Sequence, residues 1–132
     1  MRVGVDLVEV DRLAAGLRRR PRLADRLFTA AELAAVGGPD ALPWRLAGRL
    51  AVKEAVLKAL GTGLAGLSWH DIEVRSTAGG APCLHLAGAA RQMAAKLGVT
   101  DWAVSISHTR QTAVAVVVAQ QAGGGTTNAI AD

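Results

Sequence analysis

Thiol chemistry is nearly absent from this chain, whose only cysteine is Cys83. One thiol can form neither an internal disulfide nor a cysteine-based zinc site. Aromatic residues are scarce as well, at 3%, with no tyrosine, one phenylalanine and three tryptophans. That disfavours a domain that grips nucleic acid by stacking bases on aromatic rings. Long hydrophobic runs are missing too. The stretch 112–119 falls well short of the ~20 apolar residues that a membrane span needs. Asp6, Glu9 and Asp11 stand where a signal peptide would carry its apolar centre. Export is therefore not expected, and a cytoplasmic location is.

What is present is a chain of 132 residues, 51% hydrophobic and 20% charged. The length suits one domain, and the composition suits a buried core rather than disorder. The net charge is +4, from 15 Lys+Arg against 11 Asp+Glu, and it is unevenly spread. Residues 12–26 hold Arg12, Arg18, Arg19, Arg20, Arg22 and Arg26 against Asp25 alone, a local +5. The rest of the chain then sums to −1. A basic segment on a nearly neutral body suits an anionic partner: nucleic acid, a lipid surface or an acidic protein. Composition does not choose among them.

Residues 2–10 alternate Val3, Val5 and Leu7 against Gly4, Asp6 and Val8, a strand pattern with Asp6 opposite Val5 and Leu7. Leu13, Ala14 and Leu17 recur at helical spacing over 12–20, with arginines on the remaining surface and Pro21 as the stop. A short helical stretch over 22–28 follows. Thr29 and Glu32 then make a capping box for a helix through Val36, and 37–40 is a loop. Pro43 suits the first position of the longest helix, 43–60, which Gly61 ends. Strands are expected at 71–76 and 82–86, joined as a hairpin through Gly79 and Gly80. A helix over 89–97 and strands over 102–108 and 112–119 complete the order β-α-α-α-β-β-α-β-β. That order predicts an α+β domain over 1–119, with a long central helix packed on a largely antiparallel sheet. Residues 120–132, rich in Gly, Thr and Ala, are expected to be a disordered tail.

Glu54 and Lys58 are four apart on one helix face, as are Arg49 and Lys53. The plain alternative is a solvated, salt-bridged face. Against it stand the Ala/Leu-rich surroundings and the Gly61-Thr62-Gly63 turn, which lets a ligand approach the backbone. Three cations around one acid suit a diphosphate with its metal ion. Asp6, an acid within an apolar strand, is costly unless paired, metal-bound or simply exposed. His108, after Ser105 and Ser107, is either a surface turn residue or a contact to phosphate or base. His70, His85 and Cys83 read as structural. The Gly61–Gly63 turn lacks the Lys-Ser/Thr ending of a P-loop.

Two blocks carry a family resemblance. Val3-Gly4-Val5-Asp6-Leu7-Val8-Glu9-Val10-Asp11-Arg12 is similar to the G-x-D-x-x-x-x-x-R signature of holo-acyl-carrier-protein synthases, the small 4′-phosphopantetheinyl transferases. Arg49-Leu50-Ala51-Val52-Lys53-Glu54-Ala55-Val56-Leu57-Lys58-Ala59-Leu60-Gly61-Thr62-Gly63 resembles their R-F-x-x-K-E-A-x-x-K-A-x-G-T-G block. Asp71-Ile72-Glu73-Val74, Gly80-Ala81-Pro82 and Val104-Ser105-Ile106-Ser107-His108-Thr109 resemble the remaining landmarks in order.

The resemblance implies transfer of the phosphopantetheine arm of coenzyme A to a serine of an apo acyl carrier protein, releasing adenosine 3′,5′-bisphosphate. It implies Mg²⁺ held by Asp6 and Glu54, with Lys58 at the diphosphate. Arg49 and His108 would contact the 3′-phosphate and adenine, and Lys53, Gly61, Thr62, Gly63, Pro82 and Thr109 would line the coenzyme site. Arg12, Arg18, Arg19, Arg22 and Arg26 would dock an acidic carrier. A carboxylate or a water on the ion would take the serine proton, and Glu54 is favoured over Asp6. The resemblance also implies a homotrimer with sites between subunits, and neither nucleic acid nor membrane as partner. Which carrier is served stays open: one of fatty-acid synthesis, a polyketide synthase or a peptide synthetase. Three positions depart from the pattern. Leu50 replaces a Phe beside the nucleotide, Ala81 replaces a Lys, and Asp11 lowers the positive charge beside Arg12.

Overall fold

Small residues on one face of the first strand decide how the elements stack. The structure, a computed structural model, describes residues 1–38 and 42–123. Strand β1 (Arg2–Glu9) pairs antiparallel with β5 (Thr112–Gln121), which pairs antiparallel with β4 (Val99–His108). The inner face of β1 and β5 presents Gly4, Asp6, Val8, Ala113, Ala115, Val117 and Ala119, nearly all short side chains. Against it lies α4 (Pro43–Leu60), which is buried around most of its circumference. A glycine is required at position 4. An added Cβ there would stand 1.9 Å from the Ala55 carbonyl oxygen.

The β1 alternation is as expected, with Asp6 opposite Val5 and Leu7, but the apolar residues are on the outside. Val3, Val5 and Leu7 are 57%, 51% and 65% exposed. The polar face is buried because only Gly4, Asp6 and Val8 leave α4 room to approach.

The other helices are α1 (Val10–Arg19), α2 (Leu23–Leu27), α3 (Ala30–Val36) and α5 (Gly88–Lys96). Thr29 and Glu32 form the expected capping box, and Gly37 ends α3 in the left-handed region at φ 95°. Strands β2 (Ile72–Ser76) and β3 (Pro82–Leu86) form an antiparallel hairpin, as expected, but as a sheet of their own rather than as part of one sheet with β1, β5 and β4. A 3-10 turn at Trp69–Asp71, which periodicity cannot show, leads into β2.

Two boundaries differ from expectation. β4 begins at Val99 rather than Trp102, and β5 runs to Gln121, so Gln120 and Gln121 belong to the domain rather than to a tail. Polar residues are tolerated there because the sheet end faces solvent, and Ala122 N–H donates to Gly98 O. The rest of the expected tail, 124–132, and loop residues Pro39 and Asp40 lie outside the described residues.

The Gly4 contact generates a prediction. Gly4→Ala is expected to cost roughly 3 kcal/mol by overpacking. Gly16→Ala, where the new Cβ meets only Leu23 Cδ2 at 3.4 Å, is expected to gain up to about 1 kcal/mol from helix propensity. Urea denaturation of both variants checks this. Similar shifts for the two would remove the close approach as a constraint.

Candidate active site

Gly4 brings β1 against α4, so Asp6, two residues on, meets the side chains of Glu54 and Lys58. Lys58 Nζ donates to Asp6 Oδ1 at 2.7 Å and to the Val5 carbonyl at 3.1 Å. The other oxygen, Asp6 Oδ2, is buried and accepts no hydrogen bond among the described residues unless the facing Glu54 carboxyl carries a proton. A proton on Glu54, a cation or a water can satisfy it. Burial, then the hydrogen bond and charge of Asp6, push the Glu54 carboxyl up to about 7, with Lys58 acting in the opposite sense. Burial would raise Asp6, but the hydrogen bonds to Glu54 and Lys58 hold it below its ordinary value. Lys58 is raised by its hydrogen bond to Asp6. One proton is thus shared near neutral pH between two carboxylates on separate elements.

That donor set fits a magnesium ion. Magnesium is usually held by one or two carboxylates plus phosphate oxygens, not by an all-protein cage. Accordingly, no group of three or more His, Cys, Asp or Glu gathers for a metal among the described residues. The turn at Gly61, Thr62 and Gly63 follows directly, with Gly61 in the left-handed region at φ 75°.

A second concavity opens at the other end of α4. A cavity of about 380 Å³ lies between α3, α4, the β2–β3 hairpin and β4. Arg45, Arg49, Ser76, Pro82 and His108 are among its walls. Arg49 Nε is buried and has no hydrogen-bond partner among the described residues. Trp44 stacks on His108 with ring centroids 4.4 Å apart, and the Arg45 guanidinium lies 5.2 Å from the Trp44 centroid. Neither Trp44 nor Arg45 is singled out by the sequence. The available signal is the i,i+4 spacing of Arg45 and Arg49 directly after the helix-starting Pro43.

A third feature is a groove of about 390 Å³ between β1, α1, α2 and α4, lined by Leu13, Leu23, Leu27 and Leu50 with Arg12 and Glu54. Arg12, Arg18, Arg19, Arg22 and Arg26 are all exposed on α1 and α2 or at their ends.

The expected residues therefore fall into two sets. Asp6, Glu54, Lys58 and Gly61–Gly63 are together at the C-terminal end of α4, and Arg49, Pro82 and His108 are at the other. From Arg49 to Lys58 the axial separation is about 13 Å at 1.5 Å per residue.

One expectation is corrected, and two further residues stand away from the cavity. Lys53 is not in the site: it is fully buried, 2.6 Å from Glu32 Oε1, where no ligand can reach it. Thr109 does not line the cavity. Its side chain accepts from the N–H groups of Gln111 and Thr112 and so closes the β4–β5 turn. Leu50 lines the groove beside Glu54 rather than the cavity beside Arg49, because it is on the α1 side of α4. His70 makes a structural contact, its Nε2 lying 2.5 Å from the Asp25 carbonyl, and His85 is exposed on β3.

The raised Glu54 value has a consequence for stability. The shared proton stabilises the fold fully below the ordinary carboxylate range, and that contribution is lost as pH rises through about 7. In chelator, Glu54→Gln is expected to reduce the fall in melting temperature between about pH 6 and about pH 8. A fall as steep as that of the parent chain would contradict the shared proton.

Residues 2–117 match the family model of the 4′-phosphopantetheinyl transferase superfamily. A holo-[acyl-carrier-protein] synthase of Frankia casuarinae is 50% identical over 118 residues, covering 89% of this chain and 95% of that one. Another, from Streptomyces coelicolor, is 49% identical over the same shares. The crystal structure of the Helicobacter pylori holo-[acyl-carrier-protein] synthase in complex with coenzyme A is 28% identical and superposes with a TM-score of 0.78, covering 89% of this chain and 99% of that one. The Bacillus anthracis enzyme, in complex with coenzyme A (3′,5′-ADP), is 32% identical with a TM-score of 0.75, covering 92% and 96%. Carboxylates at the β1–α4 seam, an unpaired arginine in a cavity and a match across nearly the whole domain lead to one conclusion: this chain belongs to the 4′-phosphopantetheinyl transferase superfamily.

Proposed function

We propose that the chain transfers 4′-phosphopantetheine from coenzyme A to a serine of an apo acyl carrier protein, with Mg²⁺. The observation that carries the proposal is the buried, partnerless Asp6 Oδ2 facing Glu54, with Lys58 alongside.

Bound between Asp6 and Glu54, magnesium would neutralise the coenzyme A diphosphate. Lys58, whose side chain is 59% exposed, is free to turn from Asp6 to the leaving phosphate and stabilise its charge. A carboxylate, Glu54 in preference to Asp6, or a water on the ion would accept the serine proton. The serine Oγ–P bond forms as the P–O bond to adenosine 3′,5′-bisphosphate breaks. Phosphoryl transfer asks for positioning and charge neutralisation more than covalent help. At the cavity, the unpaired Arg49 Nε and His108 suit the 3′-phosphate and adenine end, and Pro82 forms a wall.

The arginines of α1 and α2 suit an acidic carrier surface, and the groove leads from Arg12 to Glu54, where the serine must arrive. No helix of the described residues is long and apolar enough to cross a membrane.

A homotrimer with sites between subunits is part of the proposal. Val3, Val5 and Leu7 with Val116, 39% exposed, form an uncovered apolar face on the three-stranded sheet.

Incubation with coenzyme A, Mg²⁺ and apo carriers, fatty-acid, polyketide and peptide synthetase types alike, should add the mass of one phosphopantetheine to at least one. No gain with any carrier, and salt-sensitive nucleic-acid binding instead, would overturn the proposal. Glu54→Gln should lower transfer by ~100-fold or more in a folded chain. Arg18→Glu with Arg22→Glu should raise KM for the carrier about tenfold and leave KM for coenzyme A unchanged. Val5→Glu should convert a sedimenting trimer to inactive monomer; a trimer that survives would place the interface elsewhere.

A further inference from the structure

The most deeply buried charges of the domain are outside both halves of the site. Glu32 on α3 and Lys53 on α4 form an ion pair with no side-chain exposure on either partner. Every hydrogen-bonding arm of the pair ends on a different element. Glu32 Oε1 accepts from Thr29 N–H at the start of α3 and pairs with Lys53 Nζ, while Oε2 accepts from Val74 N–H on β2 at 2.8 Å. Lys53 Nζ also donates to the Trp69 carbonyl at 3.0 Å and lies 5.5 Å from the Phe28 ring centroid.

One of those attachment points is itself a wall of the Arg49 cavity, and the helices that carry the pair supply others. Val74 lines it directly. Ala35 and Val36, three and four residues beyond Glu32, line it from α3. Arg49, four residues before Lys53 and hence one turn along the same helix face, lines it from α4. The Glu32 charge also acts on Arg49, opposing the effect of its burial. Glu54, next in sequence to Lys53, is turned by about 100° around the helix axis, toward β1 and Asp6. Fixing Lys53 therefore fixes the rotation of α4, and with it the directions of both Arg49 and Glu54.

A buried ion pair is not needed for stability as such. Replacement of both partners by uncharged residues of similar shape is often neutral or stabilising, whereas removal of one leaves an uncompensated charge. We infer that Glu32 and Lys53 are positioning residues for the nucleotide end of coenzyme A, setting the spacing of α3, α4 and β2 around Arg49. This inference rests on the assignment of the cavity to that end.

The test uses the full chain carrying Glu32→Gln with Lys53→Met, which keeps shape and removes both charges. Binding of adenosine 3′,5′-bisphosphate is measured by calorimetry, beside melting temperature and steady-state kinetics. The expected result is a melting temperature within a few degrees of the parent, with nucleotide Kd and KM for coenzyme A raised about tenfold and KM for the carrier unchanged. Arg49→Ala is the control for the cavity. An unchanged Kd in the folded double variant, with Arg49→Ala weakened, overturns the positioning role alone. An unchanged Kd in both overturns the cavity assignment, and the inference with it. If the double variant does not fold, Glu32→Asp, which keeps the charge but draws the carboxylate back by one methylene, is judged by the same Kd and melting criteria.

Discussion

The closeness of β1 to α4 is the constraint on which the rest of the structure depends. A bare glycine at position 4, beneath the Ala55 carbonyl, lets a strand lie on a helix with almost no side chain between them. The alanines at 113, 115 and 119 continue the same flat surface into β5. Two functional consequences follow. Asp6 is pressed into a partly desolvated seam, where its second oxygen faces the Glu54 carboxyl. The residues that could have filled that seam, Val3, Val5 and Leu7, are turned outward to form an apolar sheet surface. The G-x-D pattern at the start of the chain is thus one device: the glycine creates the approach and the acid exploits it.

The helix that receives this strand is held from its other side by the Glu32–Lys53 pair. Glu32 also completes the α3 capping box and satisfies an edge N–H of β2. One carboxylate therefore joins three elements, and the long helix has little freedom to rotate. Two carboxylates that are to hold one cation, as proposed for Asp6 and Glu54, must be held within tenths of an ångström to act together. Anchoring of α4 on both flanks supplies that rigidity, while exposed Lys58 keeps the mobility that a phosphate-contacting cation needs.

Local chemistry made much of this legible in the sequence. Pro43 and Gly61 delimit α4, Thr29 and Glu32 start α3, and Gly79-Gly80 turns the hairpin, all from short-range geometry. Asp6, Glu54 and Lys58 could be named because their residue types and spacing match a family block. What stayed hidden was long-range. Nothing in the spacing of Arg49, Lys53 and Glu54 tells which of the three meets a buried partner on another helix, so Lys53 reads as a ligand contact. Strand alternation gives two faces without saying which is covered, and β1 buries the less apolar one. The Trp44–His108 stack joins residues far apart in sequence, and only the fold brings them together.

The central claim is that Asp6 and Glu54 exist as a pair to hold a divalent cation at the β1–α4 seam. Anomalous diffraction from crystals grown with Mn²⁺ and coenzyme A tests it most directly. The account predicts one strong peak between Asp6 and Glu54, in contact with a diphosphate oxygen, and Lys58 displaced from Asp6 toward phosphate. An ion bound elsewhere, with the Lys58–Asp6 pair intact and the diphosphate remote from Glu54, would contradict it.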